Sequence, residues 1–485
     1  MLEDIISERR KKLDAIRAAG IDPYPARVKR SLAIADALAS FDRIANDMTA
    51  VSLAGRVRSM RDQGKIVFID IEDGTGKVQA VLKDDVLKED EFTFWRSALD
   101  IGDFVSVTGP LFATKRGEKS IEARELQFGG KALLPLPDKW DGLEDIELRL
   151  RERYVDLIMH PDVRAMFVKK GMFWAGVRDF LVQHGFVEVE TSVIEPEAGG
   201  AEAEPFMTHH NTLDTDFSLR ISLELQLKKL VVGGLGSVFE IGRVFRNEGI
   251  DRDHLQDFTF MECYWVYHDY KELMKLMQKM FRHAIERSMG TLRTTWQGYA
   301  IAWDAEWPEV DYVHAFKEAN GGLNPLTASR DDLFDAAKKL GLVPEGNLQK
   351  GRLIDLIYKK TVRPTLIQPC FLINTPIVIS PLAKASPENP EIAERFQIVA
   401  CGTELGNGFS ELNDPVDQRA RLEAQMALRK KGDKEAMSVD EDFLRALEYG
   451  MPPTAGFGMS ERVFSVLVDK PMRETVFFPL MRRKK

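Results

Sequence analysis

The sequence predicts an α+β protein in which a small N-terminal β-barrel precedes a larger domain built on an antiparallel sheet. Three observations carry that reading. Residues 49–130 hold short β-rich runs separated by Gly or Asp-Gly turns. Beyond residue 151, strand runs are separated by helical patterns and no βα unit repeats. The chain has 485 residues, room for roughly two to four domains at about 100–200 residues each. Hydrophobic residues make up 44% and charged residues 29%. That globular balance excludes a mostly disordered, collagen-like or coiled-coil chain.

The elements follow in order. Residues 1–48 read as a helical extension. Leu2, Ile5, Ile6, Leu13 and Ile16 form an apolar stripe that stops at Gly20 and at the prolines 23 and 25, and a second short helix runs over 32–41. Residues 49–135 read as about five strands, with a hairpin signal in the Asp-Gly-Thr-Gly run at 73–76. Such a set closes into a small barrel of the OB type, which commonly binds oligonucleotides. Its second strand puts Val67, Ile69 and Ile71 on one face and Ile66, Phe68 and Asp70 on the other. An outward Phe68 can stack on an unpaired base, or it can fill a barrel end. Residues 136–150 read as a linker. Residues 151–485 form the larger domain, with a polar helical insertion at about 305–368 and loops at 321–322 and 344–346.

Charge and composition narrow the function classes. Lys and Arg number 67 against 76 Asp and Glu, a net charge of −9, which argues against a protein that coats nucleic acid by bulk attraction. Residues 1–30 are nevertheless locally basic, and the chain ends in two arginines and two lysines; solvated surface charge accounts for these as well as a nucleic-acid partner does. No apolar run approaches the ~20 residues of a membrane span, and residues 1–12 carry no apolar block of signal-peptide length. Cys263, Cys370 and Cys401 are far apart and form no CxxC pair. A reducing, cytoplasmic setting is expected.

The chemistry concentrates in 239–264, FEIGRVFRNEGIDRDHLQDFTFMECY, which reads as strand, polar loop, strand. Alternation puts Arg246 and Glu248 on one face of the first strand, and Phe258, Glu262 and Tyr264 on one face of the second. An arginine can neutralise phosphate oxygens, a phenylalanine can stack on a purine, and carboxylates can bind amines. A solvated hairpin with surface ion pairs would carry the same residues.

FRNEG, a loop and FTFMECY resemble motif 2 of class II aminoacyl-tRNA synthetases. Together with THHNTLD, LELQLKKLVVGG, GTELGNGFSELNDP and PPTAGFGMSERVF, they are similar to the bacterial lysyl-tRNA synthetases over nearly the whole chain. The resemblance implies an OB anticodon-binding domain, a class II antiparallel-sheet catalytic domain, a homodimer, and activation of L-lysine by ATP before transfer to tRNA(Lys). It implies ATP-binding roles for Arg246, Glu248, His254, Phe258, Glu404, Gly456, Gly458 and Arg462. Arg246 and Arg462 are the catalytic arginines. Arg462 opens a helix whose N-terminus is expected to favour an anion as well. Lysine falls to Gly200, Glu224, Arg246, Glu262, Tyr264, Asn407, Phe409 and Glu411, because a buried ammonium needs carboxylate and hydroxyl partners. Glu224 is expected at the edge of the buried stripe of Leu223, Leu227 and Leu230. Mg²⁺ falls to Glu404, with Gln397 and Glu411 completing the metal set. The anticodon falls to Phe68, Gln79 and Glu118, with Gln79 exposed opposite the face of Val78, Ala80 and Leu82.

The chain departs from the family pattern at three places. Ser192 stands where motif 1 carries proline, the run GFGMSER is one residue shorter than GLGIGIDR, and Gln397 stands where a metal-binding carboxylate is usual. An amide is a weaker oxygen ligand for Mg²⁺. The remaining alternatives are a sister enzyme for aspartate or asparagine, a lysine-transferring enzyme acting on protein, and a non-catalytic RNA-binding module. The first is disfavoured by Glu262 and Glu411, the second by the barrel, and the third by the intact arginines.

Overall fold

The structure, a computed structural model, describes residues 2–137, 144–249, 254–344, 348–430 and 436–482. The middle of the expected linker, the hairpin loop at 250–253, part of the loop at 344–346 and the basic tail beyond 482 lie outside the described residues. The chain divides into two compact units that meet at Glu144 and Asp145.

In the first unit, helices α1 (Leu2–Ala18), α2 (Ile34–Ala39) and α3 (Phe41–Asn46) precede strands β1 (Ala50–Asp62), β2 (Ile66–Glu72) and β3 (Lys77–Lys83). Helix α4 (Glu89–Ala98) and strands β4 (Phe104–Ala113), β5 (Lys119–Glu122) and β6 (Glu125–Gly130) follow. The strand order is β1-β2-β3-β5-β4-β6, and a β1–β4 pairing closes the barrel. Val67, Ile69 and Ile71 are fully buried inside it, as period-2 alternation requires. A bulge between Val57 and Ser59 bends β1. Helix α4, not anticipated from the sequence, covers the barrel with Phe92, Trp95 and Ala98.

The second unit opens with α5 (Ile146–Arg151), α6 (Arg153–Met159) and α7 (Pro161–Gln183), so the end of the expected linker is helical. Strands β7 (Val187–Glu188), β8 (Ile194–Glu195), β9 (Met207–His210) and β10 (Thr215–Leu219) lead to α8 (Glu224–Val232) and to the hairpin β11 (Val238–Phe245) and β12 (Asp257–Val266). Next come α9 (Tyr270–Met289), the hairpin β13 (Arg293–Trp296) and β14 (Tyr299–Ala302), β15 (Glu309–Asp311), α10 (Tyr312–Ala319), α11 (Arg330–Lys339) and α12 (Lys350–Thr361). The unit ends with β16 (Cys370–Ile373), β17 (Arg395–Ala400), β18 (Thr403–Ser410), α13 (Pro415–Lys430), α14 (Glu441–Glu448), β19 (Thr454–Ser460) and α15 (Arg462–Leu467).

Eight strands form the central sheet in the order β15-β16-β17-β18-β19-β12-β11-β7. The inner pairings are antiparallel, while the outermost, β15–β16 and β11–β7, are parallel. One face carries the main core, where α7 and α9 bring Phe173, Val177, Met277 and Phe281 onto Phe457 and Phe396. Helix α9 starts with a capping box between Asp269 and Glu272, which satisfies two of its orphan N–H groups. The segment expected to be polar does form helices. It also supplies β15 to the sheet and buries Phe316, Leu333, Leu353, Ile354 and Ile357 in a core of its own; the charged residues between those positions mask the stripe in the sequence.

Candidate active site

The opposite face of the sheet is open at its centre. On β12 the even-numbered residues Phe258, Phe260, Glu262 and Tyr264 point to this face, while Met261 and Cys263 point into the main core. Cross-strand pairing then builds two rows. One runs Glu262, Gly458, Asn407, Gln397; the next runs Tyr264, Gly456, Phe409, Arg395. Glycine in the middle of each row makes the floor concave. A Cβ on Gly456 would lie 2.0 Å from Glu411 Oε1 and 2.6 Å from Tyr264 Cε1, so no other residue fits beneath those side chains.

The carboxylates at one end of this hollow are buried and crowded. Glu262 is 4% exposed. Its Oε1 accepts from the Ser222 hydroxyl at 2.7 Å and the Leu223 N–H at 3.1 Å, and its Oε2 accepts from the Tyr264 hydroxyl at 2.9 Å. Burial, with Glu224 close by, pushes Glu262 up to about 7 in spite of these three donors. Glu224 is itself buried rather than at a stripe edge. It accepts from Lys228 Nζ at 2.5 Å. Lys228, with no exposed side-chain surface, also touches Glu411 Oε2 and lies 5.6 Å from the centre of the Phe409 ring. Glu411 Oε1 is buried without a hydrogen-bond partner, and burial raises this carboxyl well above the ordinary range.

The other end is cationic and aromatic. Arg246 follows directly on β11. Its Nε donates to the Ile221 carbonyl at 3.2 Å, and its guanidinium lies 5.4 Å and 5.8 Å from the Phe258 and Phe260 ring centres. Glu248, Glu262, Glu404 and Arg462 all act on it electrostatically. Arg462 is the first residue of α15, but that helix has only six residues, so the expected gain from its N-terminus is dropped. The residue before Arg462 is firmly held. Glu461 is buried, pairs with Lys170 and accepts from the Thr259 N–H at 3.2 Å. Gly200 stands against Glu224 with φ +79°, a conformation that suits glycine.

The expected metal set is not brought together. The Gln397 Nε2 donates to Glu404 Oε2 at 2.8 Å, and the Gln397 Oε1 is buried without a partner. Glu411 lies seven residues along an extended strand from Glu404, roughly 20 Å away, and is paired with Lys228. It is therefore withdrawn from the metal set. Among the described residues no group of three or more His, Cys, Asp or Glu side chains could hold an ion. Glu404 and the free Gln397 oxygen remain as two hard donors, which fits a cation carried in part by other oxygens.

All sixteen residues expected at the catalytic site, His254 and Gly458 included, line one cavity of about 1660 Å³. Sequence reasoning missed Lys228, although the spacing Glu224-x-x-x-Lys228 is an i,i+4 ion-pair signal. It also missed Arg395, whose Nε donates to the Asn407 side-chain oxygen at 2.7 Å. Phe68, Gln79 and Glu118 lie in the other unit. Phe68 is half-buried under the Arg61 guanidinium, and Glu118 is exposed. Gln79 is buried, not exposed, because its β5 neighbour Ser120 is fully buried and donates to its side-chain oxygen at 3.2 Å.

A family model described as tRNA synthetases class II (D, K and N) matches residues 145–482, and one described as an OB-fold nucleic acid binding domain matches 51–128. A lysine–tRNA ligase of Moorella thermoacetica is 44% identical over 483 residues, covering 99% of this chain and 98% of that protein. Those of Chloroflexus aurantiacus and Staphylococcus aureus are 43% and 40% identical, each over 100% of this chain and 99% of its own length.

Proposed function

The chain belongs to the class II tRNA synthetases of the D, K and N group, and we propose that its hollow joins L-lysine to tRNA(Lys) at the expense of ATP. The activity is that of an ATP-dependent lysine–tRNA ligase. A lysine carboxylate oxygen attacks the α-phosphorus of ATP, the bond to the β-phosphate breaks, and pyrophosphate leaves lysyl-adenylate. A hydroxyl oxygen of the tRNA 3′-terminal ribose then attacks the lysyl carbonyl and AMP leaves.

The observation that carries this reading is the buried set of Glu224, Glu262 and Glu411 around the Tyr264 hydroxyl. With Lys228 and Arg246 as their cations, three ionised carboxylates leave this set one negative charge in excess. Free lysine carries one positive charge in excess. Aspartate would meet three carboxylates and is disfavoured. The Oε1 of Glu411 and the oxygens of Glu262 and Tyr264 take the ε-ammonium, and Glu224 with the Gly200 segment takes the α-amine. Arg246 bridges the substrate carboxylate and the α-phosphate. Phe258 stacks on adenine beside Glu248, while Arg462 and His254 take the outer phosphates. Mg²⁺ supplies charge neutralisation on the phosphates when bound, and Glu404 with Gln397 Oε1 would hold it. The protein's part is positioning and preorganised charge rather than a dedicated base.

Phe68 on the barrel suits stacking on an anticodon base, and the exposed Glu118 suits a polar reader. The exposed Val168, Met172 and Val182 on α7 suit a second copy of the chain, so the working form is a homodimer. Three unpaired, buried cysteines suit a reducing cytoplasm. No described helix is long and apolar enough to cross a membrane. The test is pyrophosphate exchange with each standard amino acid in turn, without tRNA. Lysine alone should support exchange; exchange with aspartate or asparagine instead would overturn the assignment.

A further inference from the structure

Glu461 and Lys170 make a buried ion pair that the proposed reaction does not use. The Glu461 side chain is fully buried and that of Lys170 is 14% exposed. Neither residue lines the hollow, although Ser460 and Arg462, the neighbours of Glu461, both do. The carboxylate therefore stands behind the wall to which Arg462 belongs.

Its position follows from how β19 ends. The β12–β19 ladder runs as far as Phe260 and Ser460. One step further, the Glu461 N–H still donates to the Thr259 carbonyl at 3.1 Å. The Glu461 carbonyl has already left the ladder, because it accepts from the Ser465 N–H as the chain turns into α15. An orphaned Thr259 N–H would be costly, and Glu461 Oε1 takes it at 3.2 Å in place of the carbonyl. The other oxygen, Oε2, pairs with Lys170 Nζ, which also donates to the Thr475 carbonyl at 2.7 Å. Arg243 approaches Oε1 at 3.7 Å. One carboxylate thus ties together β12 between Phe258 and Phe260, helix α7 and, through Lys170, the stretch after α15, at the point where the chain delivers Arg462.

Stability alone does not account for such a pair. The desolvation of two buried ions can exceed their attraction, and an apolar pair of similar volume often serves a fold as well or better. An apolar pair cannot, however, accept the Thr259 N–H or fix a direction as charge-assisted hydrogen bonds do. Arg462 is the neighbour that needs a fixed direction. Its fork has to meet phosphate oxygens squarely, and a misplacement of ~1 Å can cost on the order of a hundredfold in rate.

We propose that Lys170 and Glu461 are positioning residues for Arg462, and that from outside the hollow they set its reach to the outer phosphates of ATP. This rests on the reaction assigned above, which gives those phosphates to Arg462.

The test uses the full chain carrying Lys170→Met together with Glu461→Gln. The two substitutions remove both charges at nearly constant volume and keep an oxygen for the Thr259 N–H. Lysine-dependent pyrophosphate exchange gives the KM for ATP and for lysine, AMP is titrated in as a competitor, and melting is followed without ligand. The melting midpoint should stay close to wild type. The KM for ATP should rise by about tenfold, while the KM for lysine and the inhibition constant of AMP, which has no outer phosphates, hold to within about twofold. Lys170→Arg keeps a cation beside Glu461 and should retain the wild-type KM for ATP to within about threefold. Glu461→Asp keeps the charge and shortens its reach, so it should raise the KM for ATP in the same selective way; it reads the proposal if the double variant fails to fold. Equal rises for ATP and AMP, or for ATP and lysine, would show that the pair serves the strand as a whole and would overturn the proposal. An unchanged KM for ATP, or a Lys170→Arg chain as impaired as the double variant, would overturn it too. A wild-type chain that shows no lysine-dependent exchange would sink the underlying reaction instead.

Discussion

Lys228 and Glu411 touch through Nζ and Oε2 with neither side chain exposed to solvent. The same Nζ holds Glu224, so one internal ammonium ties together two of the three carboxylates proposed to receive substrate. Burying ions is costly unless each is paired. Here the pairing uses one oxygen of Glu411 and leaves the other, above Gly456, without a partner.

Lys228→Met should strand two buried carboxylates and destabilise the catalytic unit by about 3–5 kcal/mol. Adding Glu411→Gln should recover part of that loss, because the variant then has one fewer uncompensated charge. Denaturant melting of the single and double variants measures both. Identical midpoints for Lys228→Met and wild type would refute the counter-ion role.

Lysine affinity should depend on pH through Glu262. Its folded-state value of about 7 lies above its ordinary 4.5, and an ammonium needs the ionised form. The KM for lysine in exchange should therefore climb as pH falls below 7. Glu262→Gln should raise that KM by about tenfold or more and flatten the climb, since one buried charge partner is worth more than ~1.4 kcal/mol. The folding contribution runs the opposite way. A raised carboxyl lends stability that is full below its unfolded value and is lost as pH rises through the folded one. The lysine-free protein should accordingly lose this contribution between about 4.5 and 7, and added lysine should offset the loss.

Gly456→Ala places a methyl group against Glu411 Oε1 and the Tyr264 ring. Both side chains must shift, so the KM for lysine should rise by at least about tenfold while the KM for ATP changes less. Equal changes in both constants would show that the glycine serves the sheet and not the hollow.

Arg246→Ala removes the group that Glu248, Glu262 and Glu404 surround. Exchange should disappear while circular dichroism keeps the wild-type spectrum, and the melting midpoint should fall, because a buried cation beside Glu262 and over the Phe258 and Phe260 rings is lost. Wild-type exchange in this variant would remove Arg246 from the mechanism.

Phe68→Ala should leave exchange unchanged, because Phe68 lies in the barrel unit. The KM for tRNA should rise, as one base stacked on an aromatic ring is worth about 1–3 kcal/mol. An unaltered KM for tRNA would mean that the ring, capped by Arg61, serves the barrel alone.

Much of this site was legible in the sequence because strand alternation is a local rule. The even-numbered residues of β12 had to face one way, and the glycines of β19 had to open a floor between them and Asn407. What escaped depends on neighbours that sequence spacing does not reveal. Lys228 and Lys229 look alike in the sequence, yet helix geometry buries the first between two carboxylates and turns the second out to Asp442. Gln79 alternates correctly, but its strand lies between β2 and β5, and the face it shares with Ser120 is covered. The grouping of Glu404 with Glu411 failed because an extended strand carries residues seven apart to opposite ends of the hollow. Helix α4 went unassigned between the third and fourth strands of the barrel.

Strand β19 is among the last elements of the chain, yet it lies between β12 and β18 and pairs with both. Translation that halts shortly before codon 454 yields a polypeptide with most residues of the hollow but without the strand that joins its halves. Two long strand edges would then stand unpaired, each a template for self-association. Nonsense and frameshift lesions near the 3′ end of the reading frame should thus produce an aggregating polypeptide rather than a merely weakened enzyme.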